Sequence, residues 1–85
     1  MAVKFTTETG SVYVVDLENR TWRKNNGFVE RMHSYGAGKT LTRPWESPDD
    51  WEQNRLPVID EHLYVYNPDI WWVSTKIVGA TECST

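Results

Sequence analysis

The run Gly36-Ala37-Gly38-Lys39-Thr40 contains the residue types of a phosphate-binding loop. In such loops glycines let backbone N–H groups reach phosphate oxygens, while a lysine and a threonine contact the terminal phosphates and a magnesium ion. A complete loop needs another glycine where this chain has His33, and it needs a buried strand before it and a helix after it. We therefore interpret residues 36–40 as part of a flexible loop, and a nucleotide-binding sponge is the third functional hypothesis.

Other residues with chemical potential do not form a recognisable site. Asp49 and Asp50 are adjacent carboxylates, but neighbours in sequence do not face each other on a helix. The chain has no G-x-S-x-G sequence that would present a serine nucleophile. The candidate metal ligands outside the acidic residues are His33, His62 and Cys83. Because these are not at spacings such as C-x-x-C or H-x-x-x-H, we expect no metal site, no cofactor and no catalytic residue.

Tryptophan content is the most unusual feature of the composition. The 85 residues include 5 tryptophans, and aromatic residues make up 13% of the chain. Tryptophan is costly to expose and binds strongly when it is buried at an interface. The surplus over what a small core can hold predicts a contact surface for another molecule.

Charge and hydrophobic content are those of an ordinary globular domain. Hydrophobic residues make up 39% and charged residues 25% of the chain. The net charge of -3 argues against non-specific nucleic-acid binding. A single cysteine excludes an intramolecular disulfide, and the N-terminal residues lack the apolar segment of a signal peptide. We expect no membrane-spanning segment and a cytoplasmic location.

The first third of the sequence predicts a β-meander. Val3 and Phe5 alternate with polar residues, which is the period of a half-buried strand. Residues 11–17 are β-branched and aromatic and predict a second strand. Residues 21–24 and 28–32 flank an Asn-Asn-Gly sequence, which predicts a hairpin.

The middle of the chain, residues 33–61, has no strand pattern and is expected to be an insert loop. Its first six residues are expected to be mobile. Ser47 is a candidate helix N-cap with Pro48 at the first helical position, and Pro57 limits the helix to about two turns.

The last third returns to strands and completes the predicted architecture. Residues 62–66 and 70–78 are strands joined by an Asn-Pro-Asp turn. We expect a mainly β fold, a small antiparallel β-barrel or curled sheet of about six strands with one short helical insert. Residues 1–80 then form a single β domain, and residues 81–85 form a polar C-terminal tail.

Both faces of the final hairpin hold large apolar side chains, and only one face can meet the core. The residues expected to point inward are Leu63, Val65, Trp71, Val73 and Ile77. The outward face then holds aromatic rings, which two insert tryptophans either cover as a second small core or leave exposed as an anchor patch. The predicted partner-binding residues are Tyr64, Tyr66, Trp72, Trp45 and Trp51.

An open aromatic sheet is also compatible with stacking of single-stranded nucleic acid. Arg23, Lys24 and Arg31 lie together on the predicted second hairpin and supply candidate phosphate contacts. The acidic residues of the insert argue against this alternative.

Two sequence segments resemble a known group of proteins. The run Gly10-Ser11-Val12-Tyr13-Val14-Val15-Asp16-Leu17-Glu18, followed by Arg20-Thr21, and the closing run Trp72-Val73-Ser74-Thr75-Lys76-Ile77-Val78 are similar to small orphan proteins encoded by phages of actinobacteria. The resemblance implies a bacterial host cytoplasm and a role in blocking or redirecting a host protein, or in virion assembly. It implies no catalytic residue.

These observations lead to one preferred functional hypothesis. We expect a non-enzymatic protein-interaction module whose partner is a host or virion protein, with self-association into a homo-oligomer as a further expectation. A single-stranded nucleic-acid-binding β-domain is the alternative.

Overall fold

A computed structural model describes residues 2–39 and 51–83, and these form nine strands in two antiparallel sheets. The strands are β1 (Ala2–Thr7), β2 (Val12–Asp16), β3 (Thr21–Lys24), β4 (Glu30–Arg31), β5 (Ser34–Gly38), β6 (Trp51–Gln53), β7 (His62–Tyr66), β8 (Trp71–Val73) and β9 (Ile77–Cys83). The first sheet has the order β4-β3-β2-β1-β9 and the second β6-β5-β7-β8. The mainly β prediction is confirmed, but within this part of the chain the sheets do not close into a barrel.

The predicted meander is confirmed, because β1 to β4 are consecutive antiparallel neighbours. The hairpin formed by β3 and β4 differs from the prediction in the loop that connects its two strands. The Gly27 N–H donates to the Lys24 carbonyl at 2.9 Å, and Asn25 takes the left-handed conformation with a φ of 53°. Strand β4 begins only at Glu30, so Phe28 lies in the loop between β3 and β4.

Strand β9 adds to the first sheet beside β1. Ala2 is opposite Cys83 and Phe5 is opposite Ala80, and the register shifts at Val78. Residues 81–83 were expected to belong to a polar tail, and they form the end of this strand. Their pairing with β1 satisfies backbone groups that a frayed tail would leave to water.

The expected insert contributes two strands to the second sheet. Residues 34–38, expected to be mobile, form β5 between β6 and β7. The predicted short helical insert is not seen: Trp51–Gln53 is strand β6, and residues 54–57 are not helical. Ser47 and Pro48, its predicted start, lie outside the described residues.

The core lies between the two sheets and draws on both. Its buried members are Phe5, Tyr13, Val15, Trp22, Met32, Leu63, Val65 and Ile77. Backbone and side-chain bonds also join the sheets at one end: the His33 N–H donates to the Tyr66 carbonyl at 2.7 Å, and Asn67 Nδ2 donates to the Arg31 carbonyl at 2.6 Å. Nowhere in residues 2–39 or 51–83 is there a helix long and apolar enough to cross a membrane.

Candidate functional site

The β7–β8 hairpin determines which aromatic rings face outward. Tyr66 is directly opposite Trp71, and Val65 is opposite Trp72. Residues opposite each other in an antiparallel pair share a face. Trp71 therefore lies on the outer face with Tyr66, and Trp72 lies on the core side with Val65, the reverse of the expected assignment of both tryptophans.

The turn of this hairpin explains the reversal. Four residues separate Tyr66 from Trp71, so the strands resume pairing with these two residues opposed. The Asn67 Oδ1 atom accepts the N–H groups of Asp69 and Ile70, each at 2.8 Å. This local bonding is the turn-forming property of asparagine. These hydrogen bonds fix the number of residues in the turn. That number determines on which face of the sheet each β8 side chain lies.

Trp51 and Tyr64 form a small buried cluster on the outer face of the second sheet. Their ring centroids are 5.3 Å apart with the planes at 72°. Both side chains are buried, and burial raises the pKa of the Tyr64 hydroxyl. This part of the face forms the second small core that was one of the two expectations. Trp45, the other insert tryptophan assigned to it, lies outside the described residues.

The remaining aromatic residues of the hairpin stay at the surface. Tyr66 is 43% exposed, Trp71 40% and Trp72 38%. Tyr66 and Trp71 share the outer face, and we call this pair the hairpin patch; the exposed part of Trp72 lies on the opposite face of β8. Exposed tryptophans are uncommon on a monomer, and clustered aromatic residues are typical of contact surfaces.

Comparisons with protein-family models, with curated proteins and with solved structures found no match. The function of this chain is therefore inferred from the geometry of the site itself.

Trp72 also connects the two sheets. Its Nε1 atom donates to the Tyr13 hydroxyl on β2 at 2.7 Å. The Lys24 ammonium lies 4.4 Å from the centre of the Trp72 ring, a cation–π contact. Burial raises the pKa of Tyr13, so the phenol remains protonated near neutral pH and its oxygen is available as an acceptor. Trp72 is thus held rigidly although its outer part is exposed.

The Trp72–Tyr13 bond should contribute measurably to stability. Trp72→Phe removes the donor, and we expect the free energy of unfolding to fall by about 1 kcal/mol from the lost bond. Tyr13→Phe removes the acceptor and serves as the partner substitution. In urea unfolding, the double variant should cost less than the sum of the two single variants. If the losses in free energy of unfolding of the two single variants added fully in the double variant, the hydrogen bond between Trp72 and Tyr13 would be contradicted.

The three basic residues of the nucleic-acid alternative do not form one surface. Arg23 is opposite Val14 and Lys24 is opposite Tyr13, so these two neighbours point to opposite faces of the first sheet. Arg31 is opposite Thr21, on the same face as Arg23. Lys24 is directed toward Trp72 instead. The arrangement gives no continuous basic groove beside the hairpin patch.

The glycine-rich segment has no phosphate-binding geometry where it is described. Gly36 and Gly38 lie in β5, an inner strand of the second sheet that pairs with β6 on one side and β7 on the other. Both glycines are buried, with the Tyr64 ring over Gly36 and the Trp51 ring over Gly38. The flexible-loop interpretation is wrong for residues 36–38, because their backbone groups pair within the sheet.

Candidate metal ligands are also dispersed. Within residues 2–39 and 51–83, no three His, Cys, Asp or Glu side chains come together as a metal site. His62 is buried, and its Nδ1 atom lies 2.9 Å from the Ser74 carbonyl oxygen, to which it donates in the tautomer that this contact requires. It therefore has a structural bond at the start of β7.

The sequence analysis did not single out Phe28, which is the most exposed aromatic side chain among the described residues. Phe28 is 90% exposed and its neighbour Val29 is 62% exposed. Both were assigned to a strand, but the strand begins at Glu30. The preceding Gly27 is the available signal, since a turn glycine followed by a short strand leaves such residues in the loop.

Proposed function

We propose that this chain is a small non-enzymatic protein-binding module that contacts its partner through the hairpin patch. The observation that carries the proposal is the exposure of Tyr66 and Trp71 as a cross-strand pair on the outer face of the β7–β8 hairpin. Tyrosine and tryptophan are the residue types that most often dominate binding energy at protein interfaces.

The patch is preorganised for binding. The Asn67 side chain holds the turn, and the cross-strand pairing places Tyr66 against Trp71. Trp72, the next residue of β8, is bonded to Tyr13 and lies against Lys24 on the opposite face, which anchors the strand that carries Trp71. Side chains that are already ordered lose little conformational entropy when they bind. These contacts support a rigid anchor surface.

The distribution of charge favours a protein over single-stranded nucleic acid. Bases that stack on aromatic rings need cations along the same groove for their phosphates. Arg23 faces away from the side that carries Lys24, and Lys24 already lies over Trp72. A protein surface with apolar recesses matches the patch better.

We extend the proposal to a biological setting on the basis of the sequence resemblance. A phage-encoded protein acting in a bacterial host cytoplasm would bind and block a host protein, or take part in virion assembly. A rigid aromatic patch on a small domain suits either role.

The test is the double substitution Tyr66→Ser and Trp71→Ser. These side chains lie on the outer face of the second sheet, away from the core between the sheets. We expect the far-ultraviolet circular dichroism spectrum to remain unchanged. Affinity for the partner should fall about 30-fold or more, as for interface anchors. The partner is taken as the main protein retained by the immobilised chain from an actinobacterial lysate, and its affinity is measured by calorimetry.

Phe28→Ser is the matched control, since it removes one exposed aromatic ring from another part of the surface. It should leave the affinity unchanged. Equal binding by the wild type and the double variant would refute the proposal, and loss of binding only in Phe28→Ser would transfer the anchor role to the β3–β4 loop.

A further inference from the structure

Among the residues that the structure describes, strand β9 is an edge strand whose outer side is open over most of its length. In the described part of the chain its strand neighbour is β1 alone. At its start the outer side is occupied: the Ile77 N–H donates to the Glu61 carbonyl and the Asp60 N–H donates to the Ile77 carbonyl, both at 2.8 Å. The open segment therefore runs from residue 79 to residue 83.

The open segment has few of the features that prevent edge-to-edge pairing. Ala80, Thr81 and Glu82 are exposed. Natural edge strands are protected by lysine, proline, short length or a covering loop. Strand β9 has seven residues, with no lysine and no proline, and its bulge at Val78 lies before the open segment. Backbone donors and acceptors are thus presented to a partner strand.

We propose that a second copy of this chain pairs with β9, so that two first sheets join into one continuous antiparallel sheet of ten strands. A two-fold axis perpendicular to the sheet makes the same edge complementary to itself. When the axis is centred on Thr81, Thr81 of one copy lies opposite Thr81 of the second copy. Ala80 is then opposite Glu82, and Gly79 is opposite Cys83.

Charge favours the register centred on Thr81 over the register centred on Glu82. An axis centred on Glu82 would oppose two carboxylates directly, and like charges in that position destabilise a strand pair. With the axis on Thr81, each Glu82 is opposite a small apolar Ala80. The register also uses all five residues of the open segment.

Apolar side chains beside the start of β9 add to the contact surface. Val58 is 60% exposed, Ile59 50% and Val78 49%. The turn that contains the first two is bonded to Ile77. This turn lies on the outer side of β9, where the second copy would approach, and Val78 immediately precedes the open segment. The pairing is independent of the hairpin patch, which belongs to the other sheet.

The first test is the double substitution Ala80→Glu and Thr81→Glu. In the proposed register it creates three directly opposed carboxylate pairs across the two-fold axis. Within one chain, position 81 is opposite Lys4, so the added charge there is compensated in the folded subunit. We expect the wild type to sediment as a dimer of twice 9.9 kDa and the variant to dissociate at least about ten-fold more readily.

Asn26→Glu with Phe28→Glu is the charge-matched control. It adds the same two carboxylates in the β3–β4 loop, toward the opposite edge of the first sheet. The control should remain dimeric, and all variants should keep the circular dichroism spectrum of the wild type. A wild type that is monomeric at high micromolar concentration would overturn the proposal. So would equal dissociation of the two charged variants.

Cross-linking tests the register without weakening the contact. Cα atoms of directly opposed antiparallel residues are about 4.5–5.5 Å apart, a separation that a disulfide can span. In a Cys83→Ser background, Thr81→Cys should form a disulfide-linked dimer on mild oxidation, and Asn26→Cys should not. A dimer that fails to cross-link through position 81 would contradict this register.

The outcomes also separate this contact from the proposed function. The Tyr66→Ser/Trp71→Ser variant should remain a dimer, because its substitutions lie on the second sheet. If that variant became monomeric, self-association would proceed through the hairpin patch and the β9 proposal would be wrong.

Discussion

Gly36→Ala is expected to reduce the free energy of unfolding by about 3 kcal/mol, the upper range for overpacking a close-packed site. A Cβ atom at this position would overlap the backbone oxygen of Glu52 and the ring of Tyr64. The ring can move only by leaving its buried position against Trp51, and the backbone oxygen belongs to the neighbouring strand β6. Urea unfolding at neutral pH measures the effect.

Gly79→Ala is the matched control for this substitution. It also lies in a strand, but the nearest atom to an added Cβ is the Thr6 Cβ at 3.9 Å, an ordinary contact. We expect a change of no more than about 0.5 kcal/mol. Equal stability of the two alanine variants would show that Tyr64 does not lie over Gly36.

Arg55→Met is expected to cost about 2 kcal/mol at neutral pH through loss of charged hydrogen bonds. The Arg55 guanidinium donates two hydrogen bonds to the Glu61 carboxylate, each 2.8 Å long. Glu61 is 5% exposed, and the Val58 N–H donates to the same carboxylate at 2.9 Å. Without the guanidinium, the Val58 N–H is the one hydrogen-bond donor to this buried carboxylate that remains among the described residues. Chemical unfolding of both proteins gives the difference.

The cost of Arg55→Met should depend on pH in a defined direction. The Arg55 hydrogen bonds hold the pKa of Glu61 below its ordinary value of 4.5. A lowered folded-state pKa contributes stability above the unfolded pKa, and that contribution is lost as the pH falls through the folded pKa. We therefore expect the difference between wild type and variant to be full above about pH 5 and to shrink in stronger acid.

Glu52→Gln is the control for the arginine pair. Glu52 also accepts from Arg55 at 2.8 Å, but its side chain is 69% exposed. Exposed pairs contribute little, so we expect a loss below about 0.5 kcal/mol. A loss as large as that of Arg55→Met, or a pH-independent effect in Arg55→Met, would assign the stabilisation to something other than the buried carboxylate.

Local patterns predicted the parts of the fold that local forces determine. The alternation around Val3 and Phe5 and the β-branched run after Gly10 identified β1 and β2. The turn at residues 67–69 was identified because proline is favoured at the second position of a turn, and in the structure the Asn67 side chain accepts the N–H groups of Asp69 and Ile70.

Strand β5 could not be identified in the same way. Its residues Ser34–Gly38 are mostly small and have low β propensity, which favours a loop interpretation. The strand is stabilised by pairing on both sides and by aromatic rings that require glycine beneath them. These are tertiary effects, and a single sequence does not display them.

The candidate surface was predicted in part. Tyr66 was assigned to the outer face, and it is exposed there. Trp71 and Trp72 were interchanged because a two-residue period fixes which residues alternate but not which strand residues are opposed. The number of residues in the turn supplies that information, and here it had to be read from the structure.

The adjacency of β1 and β9 has a consequence for how the chain reaches its final state. Ala2 is opposite Cys83, so this strand pair closes a loop that contains residues 3–82. Closing so long a loop costs entropy before any contact is gained, and topologies of this kind fold slowly. We therefore expect neighbouring hairpins to assemble early and β9 to dock late. Until then β1 is itself an unprotected edge, and the nascent protein is most prone to aggregation in that interval.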